Sequence, residues 1–150
     1  MQYDEPMRAL IDVPLSDYPS LITEKVRFSD TDLNGHVNNV VFPVFLEAGR
    51  VDVLYGRTAD LMPPGTAFVS ARTEIDFLDE INWPGEVQVG TRIEKLGKSS
   101  ITFRQGLYQS GRLAALSSSV IVLTDAALRR STELPERLRA VLSTFIGGPP

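Results

Sequence analysis

Sixteen residues, VVFPVFLEAGRVDVLY from Val40 to Tyr55, carry the spacing of a long helix, while most of the chain between them and the closing segment alternates residue by residue. Val41, Phe45 and Ala48 share one face and Val40, Val44 and Val51 another, so a helix here is apolar almost all round and is expected to be buried. Pro43 lacks an N–H and belongs in the opening turn, with Asn38 or Asn39 as the cap. LITEKVRF, residues 21–28, reads as a strand before it. After the break at MPPG, residues 62–65, four strand patterns follow: AFVSARTEIDFLDEI, EVQVGTRIEKL, ITFRQGLY and RLAALSSSVIVL, separated by WPG, GKSS and SG. The order is strand, helix, then four antiparallel strands. One helix cannot cover both faces of so long a sheet, so a homodimer, or a homotetramer built from it, is expected.

The whole chain, 1–150, is expected to be one domain, a length at which roughly 70% of the unfolded surface is buried. Residues 1–20 contain Pro6, Pro14 and Pro19 and read as an irregular arm. A short amphipathic helix within 130–146 closes the chain, with Leu134, Leu138, Val141, Leu142 and Phe145 at helical spacing and Pro135 near its start. Fifteen basic residues, scattered among nineteen acidic ones, give a net charge of -4 and no surface for nucleic acid. With no cysteine and one histidine, neither disulfides nor a metal site is expected. No leader pattern and no apolar run of membrane-spanning length occurs, so the expectation is a cytoplasmic protein without membrane contact.

The chemistry gathers in FSDTDLNGHVNN, residues 28–39, between the first strand and the helix. A phosphate loop ending at Gly97–Ser99 fails because its earlier glycine is Arg92; GxGxxG and GxSxG are absent, and a serine triad around His36 has no local signature. Asp, Asn and Gly are good turn and cap residues, so a plain strand-to-helix connection explains part of the cluster. Against that reading, apolar elements on both sides imply a partly buried loop, where unused polar groups are costly. On the functional reading Asp32, near a helix N-terminus, aims a carboxylate at a bound electrophile, and backbone N–H groups meet the charge that develops on a carbonyl oxygen. That pairing suits acyl hydrolysis.

FSDTDLNGHVNNVVF, followed by FLEAGR, resembles the strand-loop-helix signature of the hot-dog-fold acyl thioesterases, a group that includes 4-hydroxybenzoyl-CoA thioesterase and the plant acyl-carrier-protein thioesterases. The resemblance covers residues 21–124 and implies an α+β hot-dog fold, an antiparallel sheet wrapped around one long buried helix. It also implies that Asp32 is the catalytic carboxylate, as nucleophile or general base, and that Asp30 is structural. Asn34 and His36 match the D-x-N-x-H loop of the plant enzymes, which implies that they orient the carboxylate or the attacking water. The backbone N–H of Asn39 falls at the oxyanion position. Lys98 and Ser99 match a turn near the coenzyme A phosphates, contributed by the neighbouring subunit. The implied substrate is acyl-CoA or an acyl carrier protein thioester; coenzyme A is then part of the substrate and no cofactor is called for.

In another hot-dog branch, with a different loop, a helix glutamate is the catalytic acid; Glu47 is expected here to be structural, bonded to the loop. Arg50 is expected to be solvated or in an ion pair. Two other functions fit the same resemblance. A hydratase or dehydratase of enoyl thioesters would space its Asp and His by four residues with N-P-x-H, where Asp32 and His36 are spaced by three. A non-catalytic acyl-CoA sensor would need an output module.

Overall fold

The computed structural model describes residues 13–147, so residues 1–12 of the expected arm lie outside the described residues. The strands are β1 (Ser20–Lys25), β2 (Thr66–Phe77), β3 (Glu86–Leu96), β4 (Ser100–Gln109), β5 (Arg112–Asp125) and β6 (Arg130–Ser131); the α-helices are α1 (Phe42–Val51) and α2 (Glu136–Ser143). All neighbours pair antiparallel in the order β1-β3-β4-β5-β2, with β6 added to β5. The chain leaves β1 through the polar loop, makes α1 and only then enters β2, so helix and loop are carried between the two ends of the sheet. β1 stops at Lys25 rather than Phe28, because Phe28–Asp30 turns as a 3-10 helix.

A short 3-10 turn, Asn39–Val41, leads into α1, whose first turn holds Pro43 as expected; a π-helical turn, Asp52–Gly56, ends it. The buried face of α1 is Phe42, Phe45, Leu46, Gly49 and Arg50. Phe42 and Leu46 are 2% and 0% exposed, and burial of each contributes roughly 1.5–3 kcal/mol. Gly49 is what lets α1 lie directly on the sheet: a Cβ there would stand 2.5 Å from Thr91 Oγ1 and 2.8 Å from both Gln105 Nε2 and Val89 Cγ1. The first half of α1 packs with Val26, Val37, Ile81 and Val87, and α2 covers the other end of the sheet with Leu138 and Leu142.

The expectation of a helix buried all round requires correction. Val40, Val44, Val51 and Tyr55 are 72%, 49%, 43% and 43% exposed, and so are Val69 and Phe77 of β2 at 45% and 43%. The sheet of one chain wraps one side of α1 only. Among the described residues no helix is long and apolar enough to cross a membrane.

Candidate active site

The loop that precedes α1 is built by its own backbone. Asp30 is 7% exposed; its Oδ2 accepts the Arg27 N–H at 2.8 Å and its carbonyl accepts the Asn38 N–H at 2.9 Å, so this acid holds the loop together. Beyond it Thr31 bridges Val37, the Asp32 N–H donates to the His36 carbonyl at 3.0 Å, and the Gly35 N–H returns to the Asp32 carbonyl at 3.0 Å. That tight reversal places Gly35 at φ 79°, where a side chain is strained. The Val37 N–H donates to Ile81 O at 2.8 Å, pinning the loop to the segment between β2 and β3.

Within this frame the Asp32 Oδ1 accepts the Asn34 N–H at 2.8 Å. Asn38 Oδ1 accepts the Val40 N–H at 3.2 Å and so caps the turn that opens α1. The Asn39 N–H meets no acceptor among the described residues. His36 Nε2 lies 2.9 Å from Glu80 Oε2, so the imidazole is paired away from Asp32.

Asp32, Asn34, His36 and Asn39 line one cleft of about 400 Å³, together with Phe42, Phe77, Asp79 and Glu80. Four residues singled out from the sequence therefore meet around one open space. Lys98 and Ser99 do not join them within one chain. They form the turn between β3 and β4, and β3 spans roughly 30 Å or more from its start beside the loop to that turn, where the Lys98 and Ser99 carbonyls accept from Leu134 and Leu123. Glu80 and Phe77 escaped the sequence reading, since an acid at a strand end and an apolar residue in alternation are ordinary surface and core signals. Among the described residues no group of three His, Cys, Asp or Glu side chains is placed to hold a metal ion.

A second cleft, of about 590 Å³, runs along the exposed face of α1 against β2 and β5. Two expectations are corrected here. Glu47 is exposed on this cleft and makes no hydrogen bond to the loop, because its side of the helix faces away from the sheet. Arg50 is buried rather than a surface cation and forms no ion pair among the described residues. It is 9% exposed, and its Nη1 donates to Gln105 Oε1 at 3.0 Å and Ser119 Oγ at 3.3 Å. Gln105 in turn donates to Leu46 O at 2.8 Å and Thr91 Oγ1 at 2.9 Å. Burial pulls the Arg50 guanidinium below its ordinary range, opposed by the charge of Glu47.

The fold recurs in known proteins. A structure from Bacillus stearothermophilus, described as a predicted thioesterase, superposes with a TM-score of 0.80 and 31% identity over 87% of this chain and 98% of that one. A Thermus thermophilus thioesterase complexed with coenzyme A and Zn gives a TM-score of 0.76 and 34% identity over 86% of this chain and 95% of that one. The uncharacterized protein YsmA of Bacillus subtilis is 29% identical over 100 residues, 63% of this chain and 67% of that protein. The antiparallel sheet curled around α1 is the hot-dog fold. The model of the thioesterase-like superfamily matches residues 26–142, from just after β1 into α2 and across the whole candidate site, and the chain belongs to that superfamily.

Proposed function

We propose that the protein hydrolyses acyl-CoA thioesters to the free acid and thiol, with Asp32 as the acting carboxylate. The observation that supports this best is the sharing of one cleft by the Asp32 carboxylate and the unpaired Asn39 N–H at the entrance to α1. A thioester carbonyl lying between them has its oxygen toward the amide and its carbon toward the acid. As a base, Asp32 takes a proton from water while the water oxygen bonds to the carbonyl carbon; the C–S bond then breaks, and the sulfur leaves and is protonated. As a nucleophile, Asp32 forms a mixed anhydride with loss of the thiolate, and water opens it. In either route negative charge gathers on the carbonyl oxygen, where one backbone donor is worth about 3 kcal/mol. A positioned acid or base adds roughly 100- to 10,000-fold.

The unpaired edge of β2 and the exposed Val40 and Val44 near the start of α1, which lie outside the second cleft, fit a second copy of the chain, giving a homodimer whose partner supplies Lys98 and Ser99 to the nucleotide end of the substrate. Coenzyme A is the preferred carrier on this reading, and an acyl carrier protein is the alternative. Thiol release across a panel of acyl-CoAs tests the activity, and Asp32→Asn is expected to lose at least about 100-fold in kcat while melting like the wild type. Full activity in that variant removes Asp32 from the chemistry. Single-turnover hydrolysis in labelled water separates the routes, since label enters the Asp32 carboxylate only through the anhydride.

A further inference from the structure

We infer that the second cleft receives the far end of the acyl group and that Arg50 on its wall selects acyl groups ending in a carboxylate. The inference rests on the thioester reading above and names the substrate class for it. Arg50 is 9% exposed and so carries its guanidinium charge into the protein, and such a charge is costly unless an opposite charge meets it. Among the described residues the hydrogen-bond partners of Arg50 are neutral, the Gln105 amide and the Ser119 hydroxyl, both on the same nitrogen, Nη1, and the charge of Glu47 acts on it without an ion pair. Nε and Nη2 make no hydrogen bond among the described residues, yet neither is among the polar atoms sealed away without a partner. Arg50 lines the cleft, and on the present inference these two nitrogens face it. A planar fork of free N–H donors is matched by a carboxylate.

The remainder of the cleft suits the chain that would carry that carboxylate. Leu54, Phe68, Ile75 and Ile121 supply an apolar wall, and the one acid on it, Glu47, is exposed and forms no ion pair with Arg50. The two clefts follow one another along the same pair of elements. Phe42 and Phe77 line the first with ring centroids 5.1 Å apart, and Pro43 and Ile75 line the second. From Phe42 to Arg50 is eight residues of helix, about 12 Å of rise. An extended chain advances about 1.2 Å per bond, so an acyl group whose carbonyl lies beside Phe42, in the cleft that Phe42 shares with Asp32, reaches Arg50 after about ten bonds.

The test compares decanedioyl-CoA with decanoyl-CoA, and butanedioyl-CoA with butanoyl-CoA as a pair too short to reach. On the wild type we expect kcat/KM to favour the ten-carbon diacid by roughly ten- to hundredfold and the four-carbon pair to show no such preference. A ten-carbon ratio near one overturns the inference while leaving hydrolysis standing, and is the result if a second copy of the chain fills the cleft. An equal preference at four carbons also overturns it, because the selecting charge then lies elsewhere. Arg50→Met should abolish the ratio and Arg50→Lys should retain part of it; a ratio that survives in Arg50→Met refutes the role, and if that variant does not fold the wild-type ratios still decide. Should no acyl-CoA release thiol, the proposed activity fails separately, and the ratio of Kd values by calorimetry on Asp32→Asn tests the cleft by itself.

Discussion

The Asp32 carboxylate is held by the backbone of Asn34 and not by its side chain: Oδ1 accepts the Asn34 N–H at 2.8 Å. Asn34→Ala keeps that donor and should cost less than about tenfold in kcat, whereas Asn34→Pro removes it and should cost nearly as much as Asp32→Asn. A hydrogen bond to a charged group is worth about 1.5–3 kcal/mol, enough for this separation. Steady-state kinetics beside thermal melts measures it. Equal loss in both variants would show that the Asn34 amide itself does the orienting.

Gly49 fixes how closely α1 approaches the sheet. Alanine in a helix interior ordinarily gains about 1 kcal/mol over glycine. Here its methyl would meet Thr91, Val89 and Gln105 at 2.5–2.8 Å, and overpacking a filled core costs about 1–3 kcal/mol. Gln105 is locked by its own bonds, so the clash should win and Gly49→Ala should lower the urea midpoint. A raised midpoint would mean that the helix lifts off the sheet freely.

Tyr18 and Tyr108 pack edge to face on the outer side of the sheet, with centroids 6.1 Å apart. Burial is the largest cause raising both phenols above their ordinary range. A folded-state value raised above the unfolded one near 10 means that the neutral phenol is favoured by folding. Stability from these groups is therefore complete below about pH 10 and declines above it, by up to about 1.4 kcal/mol per pH unit for each phenol. Urea unfolding between pH 8 and 11.5 should show this decline, about half as steep in Tyr18→Phe. Among the described residues the Tyr18 hydroxyl has no hydrogen-bond partner, so that variant should be at least as stable as the wild type at pH 7. An unchanged slope would show that Tyr18 does not titrate with unfolding.

Much of the architecture is local and could be read from periodicity. Alternation of two placed β2 to β5, and Pro43 with Asn38 placed the start of α1, because turn and cap chemistry operates within a few residues. The loop was legible for the same reason: Asp32, Asn34 and Gly35 are tied together by bonds spanning two or three positions. What stayed hidden is long-range. Arg50 is 55 and 69 residues from its partners Gln105 and Ser119, and a helix apolar on every side does not announce which face meets the sheet. Gly49 was the available signal, since the smallest residue of the helix marks its closest approach and puts its neighbour Arg50 against the strands. The exposure of Val44 and Val51 stayed hidden as well, because periodicity marks a position as apolar without saying whether the chain itself covers it.

The Arg50–Gln105 pair makes a separable claim about how that charge is tolerated. Gln105 is 1% exposed and is the nearer of the two groups that meet the guanidinium, at 3.0 Å against 3.3 Å for Ser119. Gln105→Leu leaves a buried cation with the hydroxyl alone and strands Thr91, and should cost about 3 kcal/mol or more. Arg50→Met removes the cation and leaves neutral groups unpaired, costing about 1–3 kcal/mol. In the double variant the charge and its acceptor are both gone and an apolar contact replaces them. Its loss should fall short of the sum of the single losses by about 1–3 kcal/mol, since the larger part of the Gln105→Leu penalty exists only while Arg50 is present. Urea unfolding of the four proteins at neutral pH closes the cycle. Additivity within about 0.5 kcal/mol would mean that Gln105 does not carry the charge, and that Ser119 or solvent from the cleft does.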